Sequence, residues 1–265
     1  MCRAVVAAVL GAAALGATET PTLDAGYRAM YNLDFPAAHR TFRAYEDAHP
    51  VDPMGPVSDA AAYLFAEFDR LRILQSEFFT DDNTFLHHNK LAADPAVKSE
   101  FEQALQRAGQ LASKAPAGDA NAGLSTLLRI GLHADYLALV EKRNLAALSE
   151  LKTSRTLAEQ LLANHPDCYD AWLAVGVENY LLSLKPAVVR WALRLGGAQT
   201  DKDTGIARLR ITAEKGRYLK PYARLLLAVA AVRDRNPGEA RRILSWLSSE
   251  FPQNQLYREE LAKLQ

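Results

Sequence analysis

A repeated spacing of small residues and prolines constrains this chain more than any other feature. Two small residues twelve positions apart are followed by an apolar residue and a proline, at Gly26, Ala38, Phe42 and Pro50. The same offsets return near the other end, at Ala228, Ala240, Leu244 and Pro252. Small residues let two antiparallel helices approach closely, and the proline ends the second helix. The pattern therefore predicts stacked helical hairpins, which bury their core between neighbouring units.

Partial copies of the pattern run from Ala104 to Pro116 and from Ser154 to Pro166. The prolines that end the units lie 66, 50 and 86 residues apart, so we expect about five hairpins with inserted helices or loops. Helical periodicity recurs throughout, and runs of alternating Val, Ile and Thr are missing, so the predicted fold class is all-α. The enlarged units are predicted at residues 77–96, 141–146 and 183–203.

These residues resemble the tetratricopeptide repeat, a helix-turn-helix motif of about 34 residues. Its eighth, twentieth, twenty-fourth and thirty-second positions match the first hairpin, at Gly26, Ala38, Phe42 and Pro50. Trp172 and Gly176 match the fourth and eighth positions of a later copy. The resemblance implies a right-handed α–α superhelix in a single domain, residues 18–265. It also implies that the first helices line a concave face and the second helices form the outer face.

The same geometry implies that binding residues come from the exposed side of the first helices. Tyrosine suits a binding surface because its ring contributes apolar contact while its hydroxyl still forms hydrogen bonds. The competing interpretation is that tyrosines at helical spacing belong to the core. The polar and aromatic candidates are Tyr27, Tyr31, Glu178, Asn179, Tyr180 and Arg233.

The amino-terminal residues are typical of an export signal. Arg3 precedes a small, apolar run at residues 4–14, and cleavage is expected after Gly16 or Ala17. We therefore predict a signal peptide at residues 1–17 and a periplasmic or secreted mature protein, with a eukaryotic secretory route as the alternative. No later stretch reaches the roughly 20 apolar residues that a membrane helix needs.

The overall composition argues against a general nucleic-acid binder. Lys+Arg and Asp+Glu are equal at 31 each, whereas such proteins usually carry a basic excess. The charge is nevertheless polarised along the chain. Residues 34–104 carry thirteen acidic and six basic side chains, and residues 183–224 carry ten basic and three acidic ones. We interpret these segments either as two differently solvated faces or as docking surfaces.

Residues 185–195 form an amphipathic segment, in which Trp191 and its apolar neighbours lie opposite Arg190 and Arg194. One interpretation lays this segment on an anionic membrane or in a partner groove, with the arginines at the rim. The other interpretation packs Trp191 onto its own repeat, as an interpolated helix that widens the turn. Peripheral membrane contact is thus one of two expectations for this segment.

Signals for metal binding are weak in this sequence. His87 and His88 are adjacent, so on a helix they point about 100 degrees apart and do not clamp one ion. Asp81, Asp82 and Asn83 offer oxygen ligands nearby, but they serve equally well as a helix cap. We therefore expect no metal site.

Signals for catalysis are equally weak. Cys168 lies near His165 in a predicted turn between repeats, and a histidine can activate a neighbouring thiol. The alternative is an inert, structural cysteine. Serine elbows, phosphate loops and dinucleotide fingerprints are missing from the sequence. We therefore expect no enzymatic activity and no cofactor.

The leading functional expectation is a scaffold or adaptor of the cell envelope that binds a protein or peptide partner, in an oligomeric state that is left open. The alternative is a small-ligand-binding or transport-accessory protein, whose pocket is closed by the insertions at residues 77–96 and 183–203. A hydrolase, the third hypothesis, requires titratable side chains to converge in one buried cleft. An aromatic cavity with few charges favours the ligand hypothesis, and an open, wet groove favours a peptide or protein partner.

Overall fold

The computed structural model describes residues 21–74, 92–183 and 201–264, and these residues form eleven α-helices and no β-strand. The all-α prediction is therefore confirmed. A π-helical turn, Tyr136–Val140, continues α5, and a 3₁₀ turn, Tyr169–Ala171, precedes α7. The helices are α1 (Leu23–Tyr31), α2 (Phe35–Ala48), α3 (Met54–Arg70), α4 (Pro95–Ala112), α5 (Ala120–Asp135), α6 (Asn144–Asn164), α7 (Trp172–Ser183), α8 (Lys202–Lys215), α9 (Lys220–Arg233), α10 (Pro237–Glu250) and α11 (Gln255–Ala262).

Among the helices in the described ranges, none combines the length and the apolar character of a membrane span.

Several predicted features lie outside the described residues. The features that lie outside are the signal peptide at residues 1–17, the amphipathic segment at residues 185–195, the His87 and His88 pair with Asp81, Asp82 and Asn83, and most of the insertions at residues 77–96 and 183–203.

Side-chain caps set the start of several helices. Asp34 Oδ1 accepts a hydrogen bond from the Ala37 amide (3.0 Å) at the start of α2. Asn236 Oδ1 accepts one from the Glu239 amide (3.1 Å) at the start of α10. A proline lies in the first turn of both helices, where its missing amide hydrogen is harmless. These local interactions fix where the two helices begin.

The helices pair in chain order. The five most extensive helix contacts join α1 to α2, α3 to α4, α5 to α6, α7 to α8 and α9 to α10, and α11 packs on α10. The predicted insertions at residues 77–96, 141–146 and 183–203 fall between the two members of the second, third and fourth pairs. The insertion predicted at residues 141–146 is short, because α6 already begins at Asn144.

Glycines allow the paired helices to approach at their crossings. In the first pair, a Cβ at Gly26 would overlap the ring of Phe42. In the fourth pair, a Cβ at Gly176 would lie 2.9 Å from the backbone nitrogen of Leu209. Neither crossing leaves room for a side chain at full packing density. The predicted close contacts of Gly26 and Gly176 with the second helices are therefore confirmed.

The first hairpin also contacts the last part of the chain. Tyr31 Oη donates a hydrogen bond to the Tyr218 carbonyl (3.0 Å), and Asn254 Nδ2 donates one to the Tyr31 carbonyl (2.9 Å). The ring centroids of Tyr31 and Phe251 are 5.5 Å apart, and the ring of Tyr27 stacks on that of Tyr218 at 4.9 Å. All five residues are buried. The helices therefore close on themselves, an arrangement that the repeat spacing does not predict.

Two ion pairs lie at the rim of this closing contact. Arg28 Nη1 is 2.7 Å from Glu250 Oε1, and Arg217 Nη2 is 2.6 Å from Asp24 Oδ2. Their side chains are largely exposed to solvent, and exposed pairs of this kind contribute about 0–1 kcal/mol. The buried tyrosine and asparagine contacts are therefore the main source of the closing energy.

Gly205→Ala is expected to destabilise the protein by about 1–3 kcal/mol, the usual range for overpacking. A Cβ at Gly205 would lie 2.6 Å from the backbone nitrogen of Tyr180, and this backbone cannot swing aside as a flexible side chain can. Gly131→Ala is the matched control, because no atom of a neighbouring element in the described chain lies within 4 Å of its added Cβ. The control is expected to gain about 0.5–1 kcal/mol from helix propensity. Urea unfolding followed by circular dichroism measures both variants, and equal stabilities would contradict the close crossing of α7 and α8.

Candidate functional site

A cavity of about 80 Å³ lies where α1, α3, α5, α6, α7 and α9 meet. Aliphatic side chains of α5 and α7 form much of its wall. Among the described residues, the lining includes two carboxyl groups, those of Asp135 and Asp170, and no lysine, arginine or histidine. The charge that this lining can carry is therefore negative. Four aromatic rings complete the wall, those of Tyr27, Tyr31, Phe65 and Tyr222.

Asp135 is the last residue of α5, and in the described part of the chain its carboxyl group has one hydrogen-bond partner. Tyr222 Oη donates to Asp135 Oδ2 at 3.3 Å. Burial raises the pKa of the carboxyl group from its ordinary 3.8 to about 7, and the hydrogen bond from Tyr222 opposes this shift. A π turn follows Asp135 directly, and such turns are frequent at functional sites.

Asp170 also lines the cavity, but backbone donors occupy its carboxyl group. Its two oxygens accept hydrogen bonds from the amides of Arg217, Tyr218 and Leu219, at 3.0 to 3.2 Å. Burial raises the pKa of the Asp170 carboxyl group, and the three hydrogen bonds act in the opposite direction. Asp170 thus holds the segment before α9 in place. Tyr218 lies in this segment, and its ring stacks on that of Tyr27.

Two of the predicted binding residues, Tyr27 and Tyr31, line this cavity. Their side chains are buried, so they do not lie on an exposed concave face as expected. The cause is the closing contact, which covers this side of α1 with Tyr218 and Phe251. Arg233 lies apart from them, partly exposed at the carboxyl end of α9. A binding role for these three residues remains a prediction.

The other three predicted residues lie on α7 and do not line the cavity. Glu178 is fully buried, and its Oε2 forms an ion pair with Arg155 Nε at 2.8 Å. Asn179 Nδ2 donates to the Val175 carbonyl at 3.0 Å, and Tyr180 is buried beside α8. All three side chains are buried, so they do not lie on an exposed concave face as expected. Their binding role also remains a prediction.

The repeat spacing does not single out Asp135, Phe65 or Tyr222. For Asp135 the sequence does contain a signal, because it lies on the same helical face as Leu128 and Leu132. A carboxyl group on an otherwise apolar helix face needs a specific partner or has a function, since burying its charge is costly. No comparable signal marks Phe65 or Tyr222, which look like ordinary core aromatics.

The structure gives no support to Cys168 as a nucleophile. Burial raises the pKa of its thiol to about 11, whereas reactive thiols have a lowered pKa. The ring of His165 is engaged elsewhere, with Nε2 2.8 Å from the carbonyl oxygen of Gly118. Within the described residues, no group of three or more His, Cys, Asp or Glu side chains is arranged to hold a metal ion.

The two carboxyl groups of the cavity also fail to form an acid–base pair. A hydrolytic site needs a carboxyl group that is free to transfer a proton, together with a second group in a complementary protonation state. Three backbone amides occupy the Asp170 carboxyl group, so it is not free to transfer a proton.

A second concavity, of about 340 Å³, is open to solvent on the outer surface. It lies between the connection from α4 to α5 and the carboxyl-terminal part of α6. Its lining mixes apolar and polar groups, including Pro116, Thr126, Gln160, Leu161 and Asn164. This groove is larger and wetter than the central cavity.

The chain has no match among protein-family models, curated proteins or solved structures. Function is therefore inferred from the geometry of these two concavities.

The stability of the protein is expected to depend on the ionisation of Asp135. Because folding raises the pKa of this carboxyl group, the native state binds its proton more tightly than the unfolded state does. The stabilising contribution of the protonated group is full below about pH 4 and is lost as the pH rises through about 7. Asp135→Asn removes this dependence. The free energy of unfolding of the variant should therefore rise relative to that of the wild type by roughly 2–4 kcal/mol as the pH increases from about 4 to about 7.

Urea unfolding at a series of pH values measures this difference. Glu259→Gln is the matched control, since Glu259 is exposed on α11 and does not line the cavity. Parallel profiles for the wild type and Asp135→Asn would refute the raised pKa assigned to the half-buried carboxyl group of Asp135.

Proposed function

We propose that this protein is a non-enzymatic binding protein that holds a small ligand in the cavity where α1, α3, α5, α6, α7 and α9 meet. The observation that carries this proposal is the composition of the cavity wall. Aromatic and aliphatic side chains surround Asp135, whose carboxyl group no cation of the described residues neutralises. Apolar concavities with a few polar groups and a perturbed pKa are typical of ligand sites.

A tetratricopeptide-like superhelix of about five hairpins is part of the proposal. Its support is the small residue that precedes four of the prolines by twelve positions. Ala38, Ala104, Ser154 and Ala240 each lie in the second helix of a pair and are at most 2% exposed. Buried small residues at these positions are what closely packed hairpins require. In this proposal the array is closed by the contact between its ends.

The cavity volume limits the size of the ligand. An engineered apolar cavity of about 150 Å³ accepts benzene. A cavity of about 80 Å³ therefore accommodates a group of only a few non-hydrogen atoms. The ligand is either a very small molecule or a larger one that buries a small end group here.

A neutral probe of this size, tert-butanol, is expected to bind in the cavity. In a titration followed by methyl NMR at about pH 5, the largest shifts should fall on the wall residues Leu127, Leu132 and Val177. Gly131→Leu places a side chain in the cavity and should weaken the binding at least about tenfold, as competition for the same apolar volume requires. Shifts that avoid these methyl groups, or that persist in Gly131→Leu, would contradict the proposal.

A scaffold or adaptor of the cell envelope is the second candidate, and the outer groove of about 340 Å³ favours it. Its mixed lining suits an extended peptide segment of a partner. Gln160→Trp fills this groove and leaves the central cavity intact, whereas Gly131→Leu does the reverse. A partner recovered from native envelopes that is lost with Gln160→Trp alone would favour the scaffold. Export through residues 1–17 remains a prediction from the sequence.

A further inference from the structure

We infer that the ligand of the central cavity is a small organic cation of the ammonium class, held by the carboxylate of Asp135 and by the surrounding aromatic rings. This inference rests on the proposed ligand-binding function and specifies its chemistry. Three features of the cavity support it: the negative charge of its lining, the arrangement of its aromatic rings, and the oxygen of Asp135 that accepts no hydrogen bond in the described part of the chain.

The charge of the lining selects a cation. Asp135 and Asp170 are its two carboxyl groups, and within the described chain no basic side chain lines the cavity with them. Asp170 is compensated by backbone amides, so Asp135 is the group whose charge remains uncompensated. A buried carboxylate is stable only with a partner of opposite charge or with donors. An ammonium group supplies that charge, whereas an anionic ligand would add to the repulsion.

Three of the aromatic rings that line the cavity, those of Tyr31, Phe65 and Tyr222, contact one another. The rings of Tyr31 and Phe65 meet at 86° with centroids 5.9 Å apart, and those of Phe65 and Tyr222 meet at 71° with centroids 5.5 Å apart. The three rings thus pack edge to face against one another, and each of them also lines the cavity. Electron-rich ring faces attract alkylammonium groups, by about 2 kcal/mol or more where the cation is desolvated.

One oxygen of the Asp135 carboxyl group is available to accept a hydrogen bond from a ligand. Tyr222 donates to Oδ2, and in the described part of the chain Oδ1 has no hydrogen-bond donor. Tyr222 therefore orients the carboxyl group and contributes a ring to the wall at the same time. A primary ammonium ligand would donate a hydrogen bond to Oδ1, and a quaternary one would interact through charge and the rings alone.

Binding of such a cation depends on pH in a defined direction. The titratable groups that line the cavity are Tyr27 and Tyr31 from α1, Asp135 from α5, Asp170 from the 3₁₀ turn and Tyr222 from α9. The described parts of α3, α6 and α7 contribute none. Burial raises the pKa of the three tyrosines, so they stay neutral near pH 7. Both carboxyl groups become more negative as the pH rises, which strengthens cation binding.

Tetramethylammonium is the probe that tests this inference, with tert-butanol as a neutral probe of similar shape. Isothermal titration calorimetry should show tetramethylammonium binding at least about tenfold more tightly at pH 8 than at pH 5, because Asp135 is largely protonated at the lower pH. Asp135→Asn should weaken this binding at least about tenfold and retain tert-butanol binding. Glu259→Gln, on the exposed face of α11, should behave as the wild type.

The two probes separate failure of the inference from failure of the proposed function. If tert-butanol binds in the cavity and tetramethylammonium does not, the cation assignment is overturned and the ligand-binding function stands. If none of the probes binds, both are overturned. If Asp135→Asn binds tetramethylammonium as tightly as the wild type while its circular dichroism spectrum is native, Asp135 is not the recognition group.

Discussion

The contact of Tyr31 with the last part of the chain is the interaction on which the rest of the structure depends. Its hydroxyl donates to Tyr218, its carbonyl accepts from Asn254, and its ring packs against Phe65 and Phe251. These partners are buried, so each hydrogen bond broken would leave a desolvated polar group, which costs about 1–3 kcal/mol. Without this contact, α1 would not be held against Tyr218 and the segment between α10 and α11, and the cavity would lose the wall formed by its tyrosines.

The two carboxyl groups that line the cavity, those of Asp170 and Asp135, have opposite effects on stability. Asp170 stabilises the closed state, because its carboxyl group fixes the segment that carries Tyr218. Asp135 is destabilising once ionised, because burial opposes its charge and Tyr222 compensates only part of it. Proteins retain such unfavourable groups mainly where a ligand uses them. The same unfavourable charge that lowers the stability of the empty protein would favour the binding of a cation.

The repeat spacing predicts the parts of the fold that local interactions determine. The small residues Gly26 and Gly176 mark crossings between paired helices, and the caps Asp34 and Asn236 act within the first turn of the helix that follows them. The closing contact joins residues 187 and 223 positions apart, and helical periodicity carries no information on such pairs. The periodicity places Tyr27 and Tyr31 on one face of α1 without identifying what covers that face. Their burial, and the recruitment of Asp135 and Tyr222 to the same cavity, therefore follow only from the tertiary structure.

Aromatic NOE spectroscopy on the full chain tests the closure most directly. The account predicts cross-peaks between the ring protons of Tyr27 and Tyr218, whose centroids are 4.9 Å apart. The pair Tyr27 and Phe42, at 5.3 Å within the first hairpin, provides the internal control. Cross-peaks for both pairs would establish that the first and last hairpins meet. A cross-peak for the hairpin pair alone would show an open array, and the cavity with its proposed ligand would have no structural basis.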